Sequence, residues 1–242
     1  MRESDCEDTA ETGLWGRYSE LRPLEIEAIR KKTPLAFIPW GALEWHSGHA
    51  PIGLDSVKAE GICVELAKRR GGIVLPAIPM GVNTIKPYKG FPHSIDIPSD
   101  LAARVAETFC RELADEGFRL VILFTGHYPP EQIDALQEGA DRAAAHASGT
   151  RFVVWSDNRF LGDAFQADHA GATETSFQMY FAPGTVDFGR LPDRVVTLDE
   201  DGITGEDPRA ASEERGAQQL EQVLALAIPE LDRLFAETGL LS

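Results

Sequence analysis

The chain reads as a single-domain α/β/α sandwich, a mostly parallel sheet covered by helices on both faces. Three observations predict it. Short, continuous apolar runs, the mark of strands buried on both sides, are separated by stretches whose apolar residues recur at helical spacing. Strand and helix alternate over most of the length, which favours parallel pairing through right-handed crossovers. At 242 residues and 43% hydrophobic composition, the chain can bury one large core, and no linker or internal repeat divides it.

The elements follow in order. Residues 1–17 open with MRESDCEDTAETG, which is acidic and lacks the apolar core of a secretory signal; a flexible or partner-contacting tail is expected. The run LAFIPW at 35–40 is the first strand and 73–79 the second. Between them Ala59, Ile62, Cys63, Leu66 and Ala67 define a helix that Gly71-Gly72 stops. Residues 81–98, rich in Pro and Gly, form a long irregular loop, a place where function tends to reside. A helix from Ser99 to Gly117 carries Leu101, Val105, Phe109 and Leu113 on one face. Strand 120–124 follows, then a helix over 130–147 with Ile133, Leu136, Ala140, Ala143 and Ala147 inward, then strand 152–156. A second loop, 160–173, leads into a helix over 174–181. Residues 183–207 are irregular with one short strand at 194–198. The last helix starts near Pro208, buries Leu220, Val223, Leu224 and Ala227, and bends or restarts at Pro229.

Composition removes several function classes. A formal charge of −16 opposes binding to nucleic acid or to an anionic membrane surface. No apolar run approaches the roughly 20 residues of a membrane span. Three cysteines, Cys6, Cys63 and Cys110, are odd in number and widely spaced, which suits a reducing cytoplasm. Cys63 and Cys110 fall in helical patterns as small apolar residues, and none of the three is assigned chemistry. His146 on an alanine-rich helix reads as a surface residue, and Trp155 as packing.

Chemistry concentrates after the strands. Glu44-Trp-His46 follows the first, and Asp55 comes nine residues after the histidine. Residues two apart in extended chain share a side, so the two carboxylates and the imidazole form a credible divalent-metal site. His127 sits just beyond the third strand, as Glu44 does beyond the first, at the carboxyl edge where open α/β sheets place ligands. Further on, Asp168-His169 precedes Glu174, which lies in the first turn of a helix, where a carboxylate is favourable. Glu44, His46, Asp55, His127 and Glu174 together suit two divalent ions about 3.5–4 Å apart with one carboxylate between them.

Three segments carry a resemblance: Glu44-Trp-His46-Ser-Gly-His49-Ala-Pro51 with Asp55, then Gly126-His127-Tyr128, then His169-Ala-Gly-Ala-Thr-Glu174-Thr-Ser176. In this order the chain resembles the creatininase (creatinine amidohydrolase) family over about residues 35–181. That resemblance implies a dinuclear metallohydrolase using Zn, Mn or Fe. Glu44, Asp55 and His127 would hold one ion, and His46, Asp55 and Glu174 the other, with Asp55 bridging. His169 would transfer the proton and His49 would support the ligands. A homo-oligomer, a hexamer in many members, and a small-molecule substrate are implied as well.

The chemistry fits those roles. Paired cations supply hydroxide from a bridging water near neutral pH and stabilise the oxyanion, while an unligated histidine protonates the leaving nitrogen. The expected reaction is opening of a small cyclic amide or related ring. Alternatives within the family are opening of a sugar- or inositol-derived cyclic ketone or lactone, or cleavage of formamides or peptides. The alternative outside enzymes is a metal-binding regulatory subunit.

The chain also departs from the family pattern. Thr125-Gly-His-Tyr-Pro-Pro130 replaces a common Asn-Gly-His-Gly-Gly-Asn, and Pro129 stands where creatinine-hydrolysing members have a glutamate. The aromatic residues that close over creatinine lack counterparts in 157–169. Phe91-Pro92-His93-Ser94 replaces Phe-Pro-Gly-Thr, which makes His93 a candidate substrate contact. Trp45 and Tyr128 flank the ligands and are candidate pocket walls.

Overall fold

The computed structural model describes residues 14–239. Five strands form a parallel array in the order β1-β3-β2-β5-β6: β1 (Trp15–Arg17), β3 (Gly72–Val74), β2 (Leu35–Gly41), β5 (Leu120–Thr125) and β6 (Arg151–Ser156). A two-residue strand, β4 (Ile78–Pro79), pairs the far end of β2 through Trp40↔Ile78. The β2–β5 register runs from Leu35↔Leu120 to Trp40↔Thr125, so both strands end at one level. Functional loops leave from that level.

Burial explains the layers. Every residue of β2 is buried, and its side chains alternate between two cores. Leu35 and Phe37 join Ile122, Phe124, Ile62, Leu66, Phe177 and Val223 on one face, covered by α2 (Leu54–Arg70), α6 (Ala172–Phe181) and α8 (Glu213–Glu237). Ala36, Ile38 and Trp40 join Val121, Leu123, Ile29, Ala106 and Leu136 on the other, under α1 (Pro23–Lys32), α4 (Ser99–Asp115) and α5 (Pro130–Ala144). Each such leucine or phenylalanine contributes about 1.5–3 kcal/mol by leaving water. The α/β/α sandwich with a parallel sheet is therefore present. Among the described residues no helix is long and apolar enough to cross a membrane.

The structure corrects several expected elements. Residues 1–13, Cys6 included, lie outside the described residues, but Trp15–Arg17 is an edge strand rather than tail, paired in register with Gly72–Val74. The second strand is interrupted between Val74 and Ile78, where Pro76 has no N–H for a ladder. Residues 81–98 are not wholly irregular. They contain α3 (Ile85–Lys89), which Gly90 ends in the left-handed conformation. Helix α4 is turned in part from its expected face: Leu113 is buried and Val105 packs on the core as expected, but Leu101 and Phe109 are exposed, and Ala102, Ala103, Ala106 and Cys110 are buried. Small residues bring α4 against α5, where a side chain at Gly139 would strike the Ala103 carbonyl at 2.5 Å.

No strand forms at 194–198. The Asp201 carboxylate takes the Arg194 guanidinium and the Thr197 N–H, and α7 (Leu198–Asp201) begins there. The last helix starts at Glu213 behind the capping hydroxyl of Ser212, and Pro208 opens a separate 3-10 turn. It passes Pro229 as one helix, because Leu231, Leu234 and Phe235 beyond the proline are buried in the core. Cys63 and Cys110 are buried free thiols, Trp155 packs edge-on against Phe160, and His146 is exposed.

Candidate metal centre

Five polar side chains converge at the carboxyl ends of β2 and β5. After β2 the chain folds back on itself, with the Glu44 N–H donating to the Ile52 carbonyl at 3.0 Å. That loop delivers Asp55 into the first turn of α2, behind β2. His127 follows the end of β5, and Glu174 sits in the first turn of α6. All five residues are buried.

Hydrogen bonds fix the orientation of each ring. His46 Nδ1 lies 3.0 Å from the Glu44 carbonyl oxygen and donates to it, which leaves Nε2 as the free lone pair. His127 is held the opposite way: Nε2 donates to the Val82 carbonyl at 3.0 Å and Nδ1 is free. His127 Nδ1 stands 2.8 Å from Glu44 Oε2 and 3.5 Å from Asp55 Oδ2. His46 Nε2 stands 3.3 Å from Asp55 Oδ1 and 3.4 Å from Glu174 Oε2. Asp55 thus offers one oxygen to each group of ligands.

The groups Glu44–Asp55–His127 and His46–Asp55–Glu174 each bring their ligand atoms within 4.8 Å of one another. Glu44 Oε2, His46 Nε2 and Asp55 Oδ2 are buried with no hydrogen-bond partner. Buried polar atoms are ordinarily satisfied. Lone pairs left bare and aimed at two shared points fit a pair of divalent cations.

Electrostatics agree. Burial opposes charge on His127, but Glu44 and Asp55 push its pKa up to about 10. Burial likewise opposes charge on His46, and Asp55 and Glu174 carry its pKa well above the ordinary value. Asp55 is held well below the carboxylate range despite burial, by His46 and His127. The carboxylates demand positive charge, which a cation at each position would supply.

The remaining expected residues divide. His169 borders the centre, its ring 4.7 Å from that of His46, with Nε2 2.9 Å from the Trp45 carbonyl. Burial, then His46, lowers its pKa. It also forms a third close group with Glu44 and His46. His49 is buried with Nε2 2.9 Å from the Thr175 hydroxyl, and burial takes its pKa down to about 4. A neutral His49 therefore braces the turn of α6 that carries Glu174.

Tyr128 lines a cavity of about 360 Å³ beside the centre, with Ile85, Tyr88, Pro129 and Leu198 among the apolar walls. Trp45 and His93 do not line it. Trp45 donates its indole N–H to the Asp201 carbonyl and stacks on Phe91, and exposed His93 lies beyond that stack. Phe91 and Asp201 draw the Trp45 side chain away from the ligands. Among the described residues no lysine, arginine or tryptophan borders the cavity.

Sequence reasoning missed a buried charge cluster behind Glu174. Lys58 is fully buried, with Nζ 2.8 Å from Glu174 Oε1, 3.1 Å from Asp157 Oδ2 and 4.9 Å from the Tyr128 ring centre. Its signal was available. Lys58 is one turn beyond Asp55, on the inward stripe of α2 with Ala59 and Ile62. Asp157 is raised to about 6 by burial, against the pull of Lys58. Asp168 accepts the Thr173 and Glu174 N–H groups, and burial with the nearby Glu174 charge raises it to about 7.

Comparison with known proteins places this geometry in context. A family model described as creatininase, creatinine amidohydrolase, matches residues 19–229. Creatinine amidohydrolase of Pseudomonas putida is 28% identical over 196 residues, covering 72% of this chain and 75% of that protein. A manganese creatininase structure superposes with a TM-score of 0.74 at 26% identity, covering 92% of this chain and 98% of the other. A mutant creatininase of Zn-Zn type gives 0.75 at 25% identity, with the same coverage.

Proposed function

The chain belongs to the creatininase family, and from that premise we propose that it is a dinuclear metal-dependent hydrolase opening a small cyclic amide or related ring. One observation carries the reading: Asp55 turns one buried oxygen to each of two ligand groups, which also present bare buried atoms on Glu44 and His46. Glu44, Asp55 and His127 would hold one ion and His46, Asp55 and Glu174 the other. Bound there, the ions would acidify a water and polarise the scissile carbonyl.

The protein's own groups do the rest. His169 belongs to neither group that shares Asp55, and its lowered pKa keeps it neutral at the start of a turnover. With Nε2 engaged by the Trp45 carbonyl, Nδ1 accepts the proton of the attacking water and then gives it to the leaving nitrogen. Ile85, Tyr88, Leu198 and Pro129 shed water from the substrate.

A second reading, ring opening of a hydroxylated cyclic ketone or lactone, is favoured by Asn83, Thr84 and Thr204, three neutral hydrogen-bonding residues in the same wall. Creatinine, neutral lactones, cyclic diketones and formamides, offered to metal-replete protein, separate the readings. Two bound ions with no turnover of any would favour a binding role instead. Elemental analysis should find two metals per chain, and fewer in Glu44→Ala and His127→Ala. Fewer than two in supplemented wild type sinks the dinuclear reading. The assembly follows the resemblance: light scattering should report a homo-oligomer.

A further inference from the structure

Among the described residues Lys58 is the buried cationic side chain, and neither ligand group uses it. Its ammonium is withdrawn from water on the core-facing stripe of α2, a placement tolerated only with close partners. The partners are Asp157 Oδ2 at 3.1 Å and Glu174 Oε1 at 2.8 Å. The Tyr128 hydroxyl, whose proton goes to the Asp168 carbonyl at 2.6 Å, lies 3.1 Å from the same Oε1. The other oxygen, Oε2, accepts the Ala170 N–H at 2.9 Å and faces His46.

The two oxygens of Glu174 are thus assigned before any ion arrives. Oε1 is engaged by the Lys58 ammonium, with the Tyr128 hydroxyl beside it, and Oε2 is turned to the cation position. Chelation through both oxygens would require breaking a buried ion pair, a change that costs several kcal/mol in general. Catalytic metal sites need open positions for water and substrate, and single-oxygen ligation preserves them.

We propose that Lys58 is a positioning residue for the His46–Asp55–Glu174 site, holding Glu174 to one-oxygen presentation toward a divalent cation. The proposal rests on the two-ion reading. A purely structural Lys58 makes a different prediction, because buried ion pairs replaced by uncharged groups of similar volume are often neutral or stabilising.

The test is zinc titration of chelator-treated protein in competition with a chromophoric chelator. Wild type is compared with Lys58→Met/Asp157→Asn, which removes one positive and one negative charge and leaves the net charge beside the ions unchanged. Wild type should bind two ions per chain. The double variant should keep one at wild-type affinity and bind the other about 10–100-fold more weakly, the usual effect of losing a group that orients a ligand. Tyr128→Phe keeps the Lys58–Asp157 pair and removes the hydroxyl that links Oε1 to the Asp168 carbonyl, so it should weaken the same ion by a smaller factor. Two ions at wild-type affinity in both variants, or equal weakening of both ions, overturns the proposal while leaving the two-ion reading intact. Fewer than two ions in wild type removes that reading, and this proposal with it.

Discussion

The two ligand groups share Asp55 and similar chemistry, yet they are supported differently. In the Glu44–Asp55–His127 group, Glu44 Oε1 is held by the Ile85 N–H and His127 by the Val82 carbonyl. Those supports are backbone and survive side-chain substitution. In the His46–Asp55–Glu174 group, Glu174 is held by Lys58 and Tyr128, its helix is capped by Asp168, and Asp157 balances the lysine. The backbone contributes the Glu44 carbonyl at His46 and the Ala170 N–H at Glu174, and the remaining supports are buried charges and a hydroxyl. The first position is built to be robust, and the second to be adjustable through its surroundings.

The largest expected effect removes the comparison altogether. Asp55→Asn disables the one residue common to both groups and should abolish tight binding of both ions and all turnover, with the fold retained by circular dichroism. Retention of both ions in this variant would show that Asp55 is not shared. His127→Ala should separate the positions: one ion lost, the other kept at near wild-type affinity, as read by metal analysis after dialysis. Loss of both ions would mean that the positions are coupled more tightly than their separate supports imply.

His169 borders both groups and supports neither. Replacing it with Ala should leave two ions bound and lower kcat by about 10²–10⁴-fold, the usual worth of a positioned general acid–base. A variant that loses an ion would instead make His169 a ligand, as its close grouping with Glu44 and His46 permits.

The backbone-supported half of the centre was the more legible one. Unbroken apolar runs reveal β2 and β5, and a ligand just beyond such a run inherits its position from the sheet. Glu44 and His127 are of that kind. Lys58, Asp157 and Asp168 were missed because charged side chains on helices and in loops ordinarily face water, and it is tertiary packing that buries these three. The same limit misplaced the buried face of α4, where alanines outrank Leu101 and Phe109 because close helix contact needs small residues. Residues 194–198 look strand-like in apolar pattern but have no neighbouring edge, and Asp201 holds that segment in place instead.

The smallest expected effect is a pH dependence confined to the second group. Asp168 caps the helix that carries Glu174, and its pKa is raised to about 7 by burial first and by Glu174 next. An unfolded aspartate titrates at 3.8. A folded pKa above the unfolded one means that the native state binds the extra proton, so this stability is complete below pH 3.8 and is lost as pH rises through about 7. Asn at this position retains an oxygen for the cap and cannot ionise. Chelator-treated wild type should therefore lose more thermal stability than Asp168→Asn between pH 4 and pH 7, and the two should run parallel above that range. Parallel melting curves across the whole range would mean that the Thr173 and Glu174 N–H groups favour the carboxylate enough to cancel burial.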